Sequence, residues 1–181
     1  MPTIDDIRFS DHTYGSARHA VLLLYHIEGV HVPMNLPNAS VMSFTRVFTD
    51  TAQCQNHVRA NLYELITLFA YGHNMQQWLS LLAPNTDLPA ALQEIKCFCH
   101  SDDHGFFRSW LRRHRHRFQN TFFNILDFED LNQKLLIFGV DHLTKLKFDF
   151  HRDSPQWRQL DLDYRETSRA LANYFWERAN R

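Results

Sequence analysis

Residues 106–118 constrain the fold more than any other stretch of this chain. Phe106, Phe107, Trp110, Leu111, His114 and Phe118 recur at helical spacing, and Arg108, Arg112, Arg113, Arg115 and Arg117 fill positions between them. A strand, with period two, would put rings and arginines on both faces at once, whereas a helix of 3.6 residues per turn sorts them onto two sides. The spacing predicts an amphipathic helix with Trp110 packed inward and a cationic ridge outward. Five arginines and two histidines fall between positions 108 and 117. A guanidinium grips phosphate through a planar fork, and each phosphate it neutralises releases counterions, so such a ridge binds nucleic acid even on a near-neutral protein. The rival reading is a solvated helix face balanced by acids elsewhere, such as Asp127, Glu129 and Asp130.

The formal net charge of −1 supplies no global basic field, so any nucleic-acid site has to be local. Within the 19 basic residues there are 15 Arg and four Lys, a bias toward the side chain that reads phosphates and guanine edges. With 44% hydrophobic residues, five Gly and six Pro in 181 residues, the chain is globular and long enough for one well-buried domain or two small ones. No apolar run reaches the roughly 20 residues that span a bilayer, and residues 1–10 lack a signal-peptide pattern, so no membrane partner is expected. Cys54, Cys97 and Cys99 cannot all pair, which points to a reducing compartment and a cytoplasmic location.

Periodicity elsewhere predicts mostly helix. Residues 18–34 read as a short β-hairpin turning at Glu28-Gly29, with a buried helix over the leucines as the rival. After Pro33 and Pro37, Asn38 or Ser40 caps a helix carrying Val41, Phe44, Val47 and Phe48. The clearest pattern follows Asp50-Thr51: Val58, Leu62, Leu65 and Phe69 at i, i+4, i+7 and i+11, ending at Gly72. Further helices are predicted over 75–82, over Leu92, Ile95, Phe98 and Cys99, over 128–138 up to Gly139, and from Leu160 or Leu162 through Leu171 and Tyr174, with Tyr174 in the core. Residues 145–150 alternate like a strand or an extended linker. The fold expected is mainly α, a bundle of about seven helices with a small N-terminal β-hairpin. Two regions are expected, 1–103 and 104–181, joined at the 101–105 loop, with 144–155 as the second candidate boundary.

Searches for catalytic motifs find no nucleophile elbow, P-loop, dinucleotide fingerprint or H-E-x-x-H. Cys97, Cys99, His100, Asp102, Asp103 and His104 are the densest set of potential metal ligands, but C-x-C-H on a helix would point the two thiols to different sides, and no second cysteine pair closes a tetrahedral site. No metal, cofactor or catalytic residue is therefore assigned. Arg108 and His114 fit the loose R-x(4–6)-H pattern of HEPN-type ribonucleases, a pattern that any Arg-rich helix with a His satisfies.

Residues 28–99 resemble the amino-terminal, SAM-like core-binding region of tyrosine recombinases and phage-type integrases. "YHIEGVHVPMNL" leads into "ASVMSFTRVFTD" as these proteins open with a β element before their DNA-binding helices. "TAQCQNHVRANLYELITLFAYGHNMQQWLSLL" is similar to the family's helix with L-x-x-L-x-x-x-F and its successor, and "LPAALQEIKCFCH" to the helix after that. The resemblance implies a helical clamp on double-stranded DNA, with Arg59 and the ridge Arg108, Arg112, Arg113, Arg115 and Arg117 facing the duplex, and self-association on it. The family's Tyr nucleophile and its Arg, Lys and His partners have no counterpart after Arg117, so this chain is expected to be the binding half of a larger recombinase and not catalytic alone. The alternatives are a helical accessory factor of a phage or mobile element that docks a protein partner, and a HEPN-like or metal-dependent nuclease.

Overall fold

Residues 65–71 read Leu-Ile-Thr-Leu-Phe-Ala-Tyr, apolar at almost every position. A strand buried on both faces of a parallel sheet needs such an unbroken run, because neither face meets water. In the computed structural model, which describes residues 4–26, 39–60, 65–84, 86, 88–118 and 120–181, this segment is the middle strand of a five-stranded sheet. In chain order the elements are α1 (Asp11–Tyr14), β1 (His19–Leu24), β2 (Thr45–Phe48), α2 (Thr51–Ala60), β3 (Leu65–Tyr71), α3 (Gly72–Leu81), β4 (Leu92–Cys99), α4 (His104–His114), β5 (Phe122–Asp127), α5 (Leu131–Leu146) and α6 (Pro155–Ala179). The strand order is β2-β1-β3-β4-β5, with β1, β3, β4 and β5 mutually parallel. The fold is therefore α/β, not the mainly α bundle with an N-terminal hairpin that the periodicity predicts.

The corrections share one cause. Val58, Leu62, Leu65 and Phe69 fall on a helical spacing, but Val58 lies in α2 while Leu65 and Phe69 lie in β3, so the stripe joins two elements. The predicted helix over Leu92, Ile95, Phe98 and Cys99 is β4, and that over Val41 to Phe48 is a 3-10 turn at Ala39–Met42 followed by β2. The first arm of the predicted hairpin is β1, whose partner is β3 and not the following residues; the second arm lies outside the described residues. The helical architecture implied by the recombinase resemblance is thus replaced by strands over 65–71 and 92–99. Gly139 does not stop a helix: α5 runs through it, where a Cβ would come within 2.6 Å of the Phe44 ring. Residues 145–150 close α5 and form a 3-10 turn at Lys147–Asp149. The helices predicted over 75–82, 106–118 and toward the C-terminus correspond to α3, α4 with a 3-10 extension at Arg115–Phe118, and α6.

The chain divides into two compact units. One comprises Arg18–His31 and Val47–Glu129, and the other Met1–Ala17, Val32–Arg46 and Asp130–Arg181. The junction expected between 103 and 104 falls inside the first of these, between β4 and α4.

In the sheet-bearing unit, register stacks Leu22, Leu68, Ile95 and Phe123 in one row and Leu24, Ala70, Cys97 and Ile125 in the next, on one face. Cys54 and Val58 of α2, Met75, Trp78 and Leu79 of α3, and Phe107 and Trp110 of α4 pack onto that face. Toward β5 the opposite face turns polar, where Lys96 pairs with Glu94 at 2.8 Å and Asn124 donates to the same carboxylate at 3.3 Å. In the other unit α5 packs against α6, whose start is capped by Ser154 accepting the Trp157 N–H at 3.1 Å with Pro155 at its first position. The Tyr14 hydroxyl donates to the buried Asp163 carboxylate, tying α1 to α6. Lys147 pairs with Asp161 at 2.6 Å, and this hydrogen bond holds the Asp161 carboxyl below its ordinary range. Tyr174 is half-buried, while Trp176 beside it is exposed. Among the described residues no helix is long and apolar enough to cross a membrane.

Candidate nucleic-acid interface

The aromatic half of α4 is held by its own rings. Phe107 and Trp110 are buried, and Trp110 lies 5.9 Å from Phe118 and 6.3 Å from Phe123, which are themselves 5.0 Å apart. With this side fixed against β5, helical geometry turns the polar positions outward. Arg108, Arg112 and Arg115 follow one another at i, i+4 and i+7, Arg113 projects about 100° around the helix from Arg112, and all four are exposed. None of the four pairs with a carboxylate among the described residues. Asp127, a proposed counter-charge, faces His104 instead, 2.9 Å from its Nε2 though not aligned as a hydrogen bond. Like charges a helical turn apart cost about 0.2–0.5 kcal/mol per pair, a repulsion that a bound polyanion relieves.

Arg117 belongs to the structure rather than to the ridge. Its guanidinium donates to the carbonyls of Leu79 at 3.3 Å, Ala83 at 3.0 Å and Thr86 at 3.2 Å, clamping the chain after α3. Arg117→Ala is expected to destabilise the protein by about 1–2 kcal/mol, the scale of losing charged hydrogen bonds to one part-buried and two exposed carbonyls. Denaturant unfolding measures this loss, and nucleic-acid affinity of the folded variant should stay close to wild type. Arg59 is exposed at the end of α2, and the crossovers put α3 between α2 and α4, so the structure does not join it to the ridge.

Beside the ridge lies a cavity of about 590 Å³, lined by Leu111, Arg112, Arg115, Phe118, Thr121, Phe122 and Phe123. Phe122 opens β5, an edge strand, and is 79% exposed. The sequence gives no sign of this groove, because the 119–127 stretch carries no strand signal that periodicity resolves, and the pairing of β5 with β4 places Phe123 there.

Open parallel sheets bind small ligands beyond the carboxyl ends of their strands, where strand order reverses. Here that position, between β1 and β3, is filled by rings in mutual contact: Tyr25 to Tyr71 at 5.3 Å, Tyr71 to Phe98 at 5.7 Å, and Phe128 to both Tyr71 and Phe98 at 6.0 and 5.9 Å. Among the described residues no group of three or more His, Cys, Asp or Glu is arranged to hold a metal ion. Cys97 and Cys99 sit two apart on a strand and so share a face, not opposite sides of a helix. Burial pushes Cys54 up to about 12 and Cys99 up to about 11, with Cys97 also raised, which keeps all three as thiols at neutral pH. Arg108 and His114 of the ribonuclease-like pattern diverge by roughly 120° around α4. The His114 ring instead bonds the Trp110 carbonyl at 2.8 Å.

Compared with known proteins, the chain matches no family model, no curated protein and no solved structure.

Proposed function

We propose that this protein binds nucleic acid through phosphate contacts made by Arg108, Arg112, Arg113 and Arg115. The observation that carries the reading is the exposure of these four guanidinium groups on one helix with no carboxylate partner among the described residues. Ordering each exposed arginine on a phosphate costs about 0.5–1.5 kcal/mol, which its charge-assisted hydrogen bonds, the strong kind, offset. Double-stranded DNA presents the densest regular array of phosphates for such a stripe. The reading does not depend on the recombinase resemblance, whose helical architecture the sheet replaces, and it assigns no chemistry to the chain. The three free thiols suit a reducing cytoplasm, the compartment we propose.

Four phosphate contacts set the salt dependence. The logarithm of the association constant should fall with the logarithm of salt concentration at a slope of about −3.6, so that affinity drops about 100-fold between roughly 50 and 200 mM salt. Fluorescence anisotropy with a labelled duplex measures the slope. No affinity at the lowest salt, or a slope near zero, would remove the reading.

A further inference from the structure

We infer that two copies of this chain pair through β5, an edge strand of the sheet, in an antiparallel register centred on Asn124. The inference is independent of the proposed phosphate contacts.

An open sheet edge offers a row of backbone N–H and C=O groups to any strand that fits, and natural edges are commonly blunted by lysine, proline or a bulge. β5 has none of these: it reads Phe-Phe-Asn-Ile-Leu-Asp and runs beside β4 in unbroken register. It pairs with β4 alone, and among the described residues its outward backbone groups meet no other strand, turn or cap. Phe123 and Ile125 stand on the face that α4 covers, while Phe122, Asn124 and Leu126 stand on the other, in line with Glu94, Lys96 and Phe98. All five are at least partly open to solvent, and Phe122 is 79% exposed. This pattern is self-complementary. A closed two-fold pairing of edge strands is antiparallel and sets opposed residues on one face. Centred on Asn124, it lays Phe122 against Leu126 of the second copy on one face and Phe123 against Ile125 of the second copy on the other, each contact occurring twice. The two Asn124 amides meet on the axis; each donates to Glu94 of its own chain at 3.3 Å and keeps a second N–H and its oxygen for the other. A centre on Ile125 would instead oppose Phe123 to Asp127 and Asn124 to Leu126. Charge agrees with the Asn124 centre. Asp127 of the second copy arrives at the Thr121 end of β5, where Arg112 and Arg115 line a cavity with Thr121 and Phe123. The arginines of the two copies then lie at opposite ends of the pairing, about 20 Å apart at about 3.3 Å per residue of strand, where salt screens their repulsion.

Sedimentation velocity over a concentration series measures the mass, which for the wild type should rise to twice the 21.6 kDa of the chain. Phe122→Lys removes two cross-strand contacts per dimer and should raise the dissociation constant by about 2- to 30-fold. Because Phe122 is exposed, this variant should keep the wild-type circular dichroism. Asn124→Cys tests the register: the two sulfurs would oppose each other on the axis, at a Cα separation of about 4.5–5.5 Å that a disulfide spans, so mild oxidation should trap a covalent dimer. Arg158→Cys, exposed on α6, should give none, and the native Cys54, Cys97 and Cys99 are buried and do not compete. A wild type that stays monomeric at every concentration would overturn the inference, leaving the β5 edge to a strand of another protein or to none. A dimer whose dissociation constant Phe122→Lys leaves unchanged, or whose Asn124→Cys form yields no covalent product, would overturn it as well and put the contact elsewhere on the molecule.

Discussion

A chain carrying Arg108→Glu, Arg112→Glu, Arg113→Glu and Arg115→Glu together is expected to lose nucleic-acid affinity by at least about a thousandfold at low salt. Each arginine is exposed and pairs with no described carboxylate, so its charge is available to a phosphate, and its reversal both removes a contact and adds repulsion. The fold should survive, because the buried side of α4, Phe107 and Trp110, is untouched. Acidic residues near the C-terminal end of a helix oppose its dipole by about 0.3–1 kcal/mol each, which the loss of arginine repulsion partly offsets. Circular dichroism checks the fold, and anisotropy measures the affinity together with the collapse of the salt slope. A charge-matched control reversing Arg152, Arg158, Arg169 and Arg181, all exposed, separates the local ridge from net charge and should show a much smaller effect. Equal losses in the two variants would mean that binding follows overall charge and that α4 is not the interface.

Gly72→Val is expected to destabilise the sheet-bearing unit by 3 kcal/mol or more, about the upper end of overpacking effects. Gly72 joins β3 to α3, and a Cβ there would overlap the Phe107 ring, approaching Cε2 to 2.6 Å. The ring has nowhere to retreat, since Phe107 is buried and packed 6.3 Å from Trp110 and 6.0 Å from His73. Against a total stability of about 5–15 kcal/mol, that loss leaves a large fraction of molecules unfolded in a marginal case. Gly72→Ala should cost about 2 kcal/mol, and shortening the ring with Phe107→Leu should recover part of that, giving a coupling of about 1 kcal/mol or more in a double-mutant cycle. Gly105→Ala is the counter-example: nothing lies within 4 Å of its Cβ position, and in α4 alanine has the higher helix propensity, so stability should hold or rise by about 1 kcal/mol. Denaturant unfolding of the five variants, the Gly72→Ala/Phe107→Leu double variant included, decides, and purely additive losses at Gly72 and Phe107 would refute this packing.

How far the fold can be read before folding depends on the range of the forces that make each element. The α4 and α6 patterns are local: the residues that define each stripe lie within a few turns, and the structure keeps both. The strands are different. Leu68 of β3 is buried because Leu22, more than forty positions earlier, and Ile95, well after it, lie beside it in the sheet. A strand buried on both faces loses its alternation, and its apolar run then matches a helical template by chance, as Leu65 and Phe69 did when aligned with Val58.

From the amino-acid order alone follow the amphipathic character of α4, its inward Trp110 and the outward set Arg108, Arg112, Arg113 and Arg115, because helical period and side-chain polarity are properties of one segment. Tertiary structure decided that Arg117 turns back onto the carbonyls of Leu79, Ala83 and Thr86, that Arg59 stands apart on α2, and that Phe122 opens an edge strand. Those placements depend on the parallel pairing of β5 with β4 and on the crossover through α4 that joins them, contacts between distant segments that no local period encodes.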